Sequence, residues 1–273
     1  MSPKSRLYSL VMAWKNKPFL GVSEARPDSW IEKTDSQFNQ SDSKSNKISK
    51  CVFEPIFTTP GEKLFAAIFR PLQNAQLSQV LRQCMEGLDS VHYWQASNRR
   101  TPILLPLQKE SLEDQAQIDG LCDLILNSRL PVGLVMVGIS ANGIEAFNRH
   151  CQESLLRLRR LGVLLHLLHC SGEDNEIAWV DDFHFEGVHL SANQLRDLAP
   201  AIQKQQIHSF QKMGVKIYLS EVTFISDLDL AKKYRIEYAY GGLMMPPVSR
   251  HQISQINDSR IGKALFMMQG EAE

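Results

Sequence analysis

The sequence has no net charge. Its 30 basic and 30 acidic residues cancel, which gives no support for binding bulk nucleic acid or an anionic membrane, because both need a surplus of Lys and Arg. It also lacks any apolar run near the ~18 residues of a membrane-spanning helix. The N-terminal run Leu10 to Trp14 (LVMAW) is short and no small-residue cleavage site follows it, so we read no secretory leader there. Cysteine is sparse. The five, Cys51, Cys84, Cys122, Cys151 and Cys170, are widely spaced, odd in number and form no CxxC pair. That excludes a disulfide framework and points to reduced core thiols in a cytoplasmic protein. No internal repeat is visible, which excludes a solenoid.

What is present is a chain of 273 residues, 43% hydrophobic, long enough for one barrel-sized core. Residues 1–50 read as an N-terminal segment with a few apolar residues, ending in a flexible linker, DSQFNQSDSKSNKISK, that has almost nothing to bury. From Cys51 to Arg70 two apolar runs flank Thr59-Pro60-Gly61, where Pro fixes φ and Gly tolerates φ > 0, so a hairpin is expected. Arg70 is a lone charge ending the second run. Such an Arg seeks a carboxylate, a phosphate or a helix C-terminus. Glu54 and Glu221 are the carboxylate candidates.

Beyond Arg70 the periodicity alternates. Leu77, Val80, Leu81, Cys84 and Leu88 share one helical face. Ile103 to Leu107 is a strand interrupted by Pro106. Ser111 with Asp114 resembles a capping box before a helix bearing Ile118, Leu121, Cys122 and Ile125. Gly133 to Ile139 is a continuous apolar run, as suits a strand covered on both faces. Ile144, Phe147, Cys151, Leu155 and Leu158 form a helical stripe stopped at Gly162. Strands are expected at Val163 to Leu168, Phe185 to Leu190, Lys216 to Leu219 and Tyr238 to Met245. Helices are expected around Leu195 to Ile202 and Ile225 to Tyr234, and a loop over 171–182. A hairpin followed by strand–helix units indicates an α/β barrel.

The segments FEPIFTTPGEKLFAAIFR, TPILLPLQKESLED, PVGLVMVGIS, RRLGVLLHLLHCSG, FEGVHLS, GVKIYLSEVT and YAYGGLMMPP follow one another over residues 51–250. In order and spacing they resemble the motif segments of the EAL domain, the bacterial cyclic di-GMP phosphodiesterase family. The resemblance implies a modified TIM barrel whose first strand runs against the others. It also implies a site of carboxylates and an amide holding two divalent cations that activate water. In this sequence those positions carry other residues. The Glu of the E-A-L segment corresponds to Ala66, and the Asn position is Pro106. The Glu residues of the next strand correspond to Met136 and Ile139, and the paired aspartates to Leu168 and His169. The catalytic Lys corresponds to His189 and its Asp to Ser191. Later Glu positions are Ser220 and Thr223, and the Gln is Tyr240. Arg70 alone is retained, as the candidate ligand-binding residue.

The expectation is therefore a barrel without catalytic residues, metal or cofactor. It acts by contacting a protein partner in bacterial signalling. The alternative is a receptor that binds cyclic di-GMP without cleaving it, and the last option an active phosphodiesterase. A homodimer, as in many relatives, stays open, and residues 251–273 read as a C-terminal tail. The segment GVHLS with YAYGGLMMPP also resembles thiamine phosphate synthase, which leaves the opening hairpin unexplained.

Three further features stand out in the sequence. Asp181-Asp182-Phe183 spells the family's D-D-F but reads as surface acid. Glu221 lies one residue from a catalytic Glu position, and a one-residue step on a strand turns a side chain to the other face. His166, His169, Cys170, His184 and His189 cluster in sequence. His166 and His169 differ by an odd number and belong on opposite strand faces, so the group reads as mouth and core histidines.

Overall fold

A computed structural model describes residues 51–59, 63–71, 80–142 and 146–257. The expectations for residues 1–50, Pro60-Gly61, Leu77, Ile144 and the end of the C-terminal tail fall outside these. Eight strands close into a barrel in sequential order, β1 Cys51–Thr58, β2 Leu64–Pro71, β3 Ile103–Leu107, β4 Val135–Ser140, β5 Leu164–Cys170, β6 Gly187–Ser191, β7 Lys216–Ser220 and β8 Tyr238–Ala239. β1 runs antiparallel to both β2 and β8, and every other pair is parallel. The reversed first strand is thus as expected, and closure leaves no sheet edge to cover.

Helices wrap the barrel. They are α1 Val80–Ala96, α2 Lys109–Glu113, α3 Gln115–Ser128, α4 Arg149–Arg160, α5 Asp174–Asp182, α6 Ala192–Asp197, α7 Pro200–Lys212, α8 Ile225–Lys233 and α9 Arg250–Gln255. Alternation decides which strand residues face which layer. On β3 and β4, Leu104 and Met136 point into the barrel, while Ile103, Leu105, Val135 and Val137 pack outward under the helices. Helix α4 shows how the outer layer is held. Asn148 caps it through Cys151 N–H at 2.9 Å, Cys151, Leu155 and Leu158 are buried, and Gly162 stops it at φ 80°. Each such leucine contributes about 1.5–3 kcal/mol on burial. Helix α9 seals the hairpin side. Trp94 Nε1 donates to the Arg250 carbonyl at 2.9 Å, Arg99 Nε donates to the Ser254 carbonyl at 3.2 Å, and Val248 bridges Phe53.

Several elements differ from expectation. Residues 171–182 are largely helix, not loop. Glu173 and Glu176 form a reciprocal cap, and Trp179 and Val180 supply the buried side. Asp181 and Asp182 are exposed at the end of that helix. Asp114, rather than Ser111, caps α3, accepting from Ala116 N–H at 3.0 Å and Gln117 N–H at 3.2 Å. Ser111 lies inside α2. The helix expected across Leu195 to Ile202 breaks into α6 and α7, because Pro200 starts a new helix at its first turn. The last strand has two residues. Beyond it Gly241 takes φ 148° where a Cβ would lie 2.3 Å from Val222 N, so the chain leaves the ladder there.

Candidate functional site

In barrels of this kind the C-terminal ends of the strands carry the chemistry. Here the inward positions toward those ends are Pro106, Gly138, Leu168, His189, Ser220 and Tyr240, and nearly all are buried, while Ala66 lies deeper, since Ala67 is level with Ile103 at the start of β3. On β4 the residue level with Pro106 is Gly138, with Met136 one step deeper. Neither brings an oxygen donor. A Cβ on Gly138 would meet Leu168 Cδ1 at 2.8 Å, so Leu168 fills the room a longer side chain would need. Two divalent cations require several hard oxygen ligands each. A prolyl ring, a glycine, a leucine and an imidazole do not fit that pair. Among the described residues no three His, Cys, Asp or Glu side chains converge as a metal-binding group.

In place of a carboxylate ring the interior holds aromatic rings. His189 stacks on Tyr218 at 4.5 Å with 7° between planes, and Tyr218 stacks on Tyr238 at 4.7 Å and 16°. Tyr238 meets Phe65 at 4.3 Å, near Lys216 at the opposite end of the barrel. Across this column run two hydrogen bonds, His166 Nδ1 to His189 Nε2 at 3.0 Å and His189 Nδ1 to Tyr240 Oη at 2.9 Å. Burial drives the His166 pKa down to about 3, with Lys216 adding to it. His189 is pushed well below the ordinary value by burial first, and further by His166, Arg70 and His169, whose charged forms would oppose its own. Burial raises Tyr240. All three are neutral at neutral pH.

Above this interior lies a polar layer. Arg70 Nη2 and Nε both donate to Glu54 Oε2, at 2.8 and 3.1 Å. Burial opposes the Arg70 charge, but Glu54, with Tyr240 and Glu221 adding less, outweighs it and the pKa rises. Arg70 is thus engaged by a carboxylate of its own hairpin. His169 Nδ1 pairs with Ser140 Oγ at 3.0 Å. Its pKa is lowered by burial first and by Arg70 second, with Glu221 opposing. Glu221 accepts from Ser191 Oγ and, at 3.0 Å, from Asn193 Nδ2.

Two expectations are corrected here. His169 sits at φ 56°, at the register shift between β5 and β6, and Glu221 sits at φ 58° just past β7. A left-handed residue breaks the two-residue alternation of a strand. Strand parity put His169 on the face opposite His166 and Glu221 on the face opposite the Ser220 position, and the left-handed backbone turns both side chains inward, against Ser140 and Ser191. Nothing in their spacing signals this. The other histidines resolve as core and surface groups: His166 and His189 are buried, and His184 lies just past the C-terminus of α5.

No family model matches the sequence, and neither does any curated protein. Solved structures do match. The EAL domain of Mycobacterium smegmatis DcpA is similar with a TM-score of 0.68 at 12% identity, over 75% of this chain and 95% of that one. The PaMucR phosphodiesterase in complex with cyclic di-GMP gives 0.65 at 12% identity, over 74% and 98%. A manganese and cyclic di-GMP complex of Klebsiella pneumoniae BlrP1 gives 0.63 at 14% identity, over 75% and 58%. At such identities the likeness is one of fold, and the fold of this chain is that of the EAL domain.

Proposed function

We propose that this chain is an EAL-fold barrel that does not hydrolyse cyclic di-GMP and acts in bacterial signalling, in the cytoplasm, by contacting another protein. One observation carries the reading. The inward positions toward the strand ends are Pro106, Gly138, Leu168, His189 and Tyr240, which offer no carboxylate to a cation, and Leu168 packs directly against Gly138. Without carboxylates there to hold a cation, the outer surface of the barrel is the part this reading assigns to recognition.

A second reading, a receptor that holds cyclic di-GMP without cleaving it, draws on Arg70. Its Nε and Nη2 edge is taken by Glu54, yet the side chain is 37% exposed at the mouth. Titration calorimetry with cyclic di-GMP, with and without magnesium, combined with chromatography of the products, separates the readings. We expect no heat and no linear dinucleotide. Heat without turnover, weakened in Arg70→Ala, supports the receptor instead. Release of linear dinucleotide overturns both. Affinity capture from the native host then identifies the protein partner.

A further inference from the structure

The end of the barrel opposite the mouth, where the parallel strands begin, carries its charge unevenly. β3, β4 and β5 are neighbours, and three stretches of chain lead into them. They are residues 97–102 after α1, residues 129–134 after α3, and the Arg159-Arg160 end of α4 with residues 161–163. Together they hold five arginines, Arg99, Arg100, Arg129, Arg159 and Arg160, and no Asp, Glu or Lys. The three stretches touch. Ile103 N–H donates to the Leu134 carbonyl at 2.9 Å, and a Cβ on Gly162 would lie 2.7 Å from Val132 Cγ1. Arg99 Nε is tied to the Ser254 carbonyl, and Arg159 stands 4.0 Å from Glu186. Arg100, Arg129 and Arg160 are exposed, and no ion pair among the described residues engages them. In the same sector are the two most exposed large apolar side chains of the described residues, Val132 at 81% and Leu126 at 59%. Val132 is at the tip of a tight turn, closed by Leu134 N–H on the Pro131 carbonyl at 3.2 Å with Gly133 at φ 85°. That turn requires its glycine but not an apolar tip.

Cations at helix C-termini are ordinary, and this accounts for Arg159 and Arg160. It does not account for Arg100, four residues beyond α1, or for Arg129, which takes a left-handed φ of 53° that Gly adopts at less cost. Nor does it explain two aliphatic side chains left in water beside them. We infer that this sector docks a short acidic segment of a partner protein, whose carboxylates pair with Arg100, Arg129 and Arg160 and whose aliphatic side chain covers Leu126 and Val132. An apolar centre within an arginine rim is the anatomy of a protein interface. The guanidinium fork meets a carboxylate through two bonds, which an ammonium does not. The next turn around the barrel limits the size of that segment. Asp181 and Asp182 are exposed there at the end of α5, and Glu186 follows just before β6. A nucleic acid or an anionic bilayer laid across this end would meet those three carboxylates, whereas a short peptide segment ends before them.

The inference rests on the proposed contact with a protein and adds its place and chemistry. The test expresses the full chain in the native host with the photoreactive residue benzoylphenylalanine in place of Val132. After irradiation, mass spectrometry reads the cross-linked peptide. The same replacement of Phe224, 57% exposed just past β7 on the mouth side, is the comparison. We expect position 132 to cross-link one protein through a peptide rich in Asp and Glu. Arg129→Glu combined with Arg160→Glu should lower that yield about tenfold. Both arginines are exposed, so the urea midpoint of the double variant should stay in place. If it does not fold, Arg100→Glu alone supplies the comparison. A cross-linked peptide without acidic residues, a cross-link to nucleic acid or lipid, or a yield indifferent to charge reversal in a folded protein overturns the inference. So does silence at position 132. A protein captured from position 224 alone overturns it and leaves the proposed protein contact standing, whereas silence at both positions counts against both.

Discussion

Arg70 and Glu54 are unequally placed, and that inequality sets what their removal does. Their side chains are 37% and 15% exposed. Arg70→Ala strands the more buried partner, a carboxylate with no other cation in direct contact among the described residues. Glu54→Ala leaves a half-exposed guanidinium that water can solvate and that still feels Glu221. An unpaired buried charge costs more than an unpaired exposed one. We therefore expect Arg70→Ala to lower stability by about 2 kcal/mol and Glu54→Ala by about 1 kcal/mol, measured by urea unfolding at low salt. The reverse order would show that Arg70, rather than Glu54, is the desolvated member. This pair was legible in the sequence, since a charge closing an apolar run demands a partner and Glu54 lies on the adjoining strand. His169 and Glu221 were not, because a single left-handed residue leaves no mark on hydrophobic alternation.

Among the elements, the turn from α2 to α3 separates two serviceable capping residues. Asp114 accepts from Ala116 and Gln117 N–H and also from Gln117 Nε2 at 2.9 Å. Ser111, buried inside α2, has an Oγ without a partner. Asp114→Ala should cost about 1 kcal/mol, the usual worth of an N-cap. Ser111→Ala should be neutral or slightly stabilising, since it removes an unsatisfied polar atom. Thermal unfolding of the two variants side by side checks this, and a larger loss at Ser111 would move the cap back to the position its spacing suggested. The misplacement has a physical cause. Ser-x-x-Asp and Asp-x-x-Gln overlap here, and only the interruption at Asp114, where the backbone is extended, decides between them. The parallel strands were legible for a different reason: both their faces are covered, so each is a nearly unbroken apolar run. Helix α5 was not, because Trp179, Val180 and Glu176 are its only buried side chains and the rest of its sequence is polar.

For the molecule as a whole, the two interior histidines tie stability to pH. His166 is neutral in the fold, with its pKa held down to about 3, and His189 is held well below the ordinary range. In the unfolded chain each would titrate near 6.5. Between those limits the unfolded state binds more protons than the folded one, so stability rises with pH. The contribution is fully present above pH ~6.5 and is lost as pH falls toward 3, at about 1.4 kcal/mol per pH unit for each histidine. No carboxylate partners either ring, and the charged groups nearest them, Lys216 and Arg70, are cations, so nothing in the interior rescues an imidazolium. The folded barrel should therefore lose stability between pH 5.5 and 4.5 from this pair alone, by about 3 kcal/mol if neither ring takes up a proton in the fold. His189→Gln should halve that slope while leaving the rest of the acid titration in place. Urea midpoints taken at half-unit steps from pH 7.5 to 4.5 measure it. A slope that His189→Gln leaves unchanged would mean that acid sensitivity originates in the surface ion pairs and that the histidine–tyrosine interior is indifferent to pH. A halved slope would place the loss inside the barrel, at the His166–His189 pair.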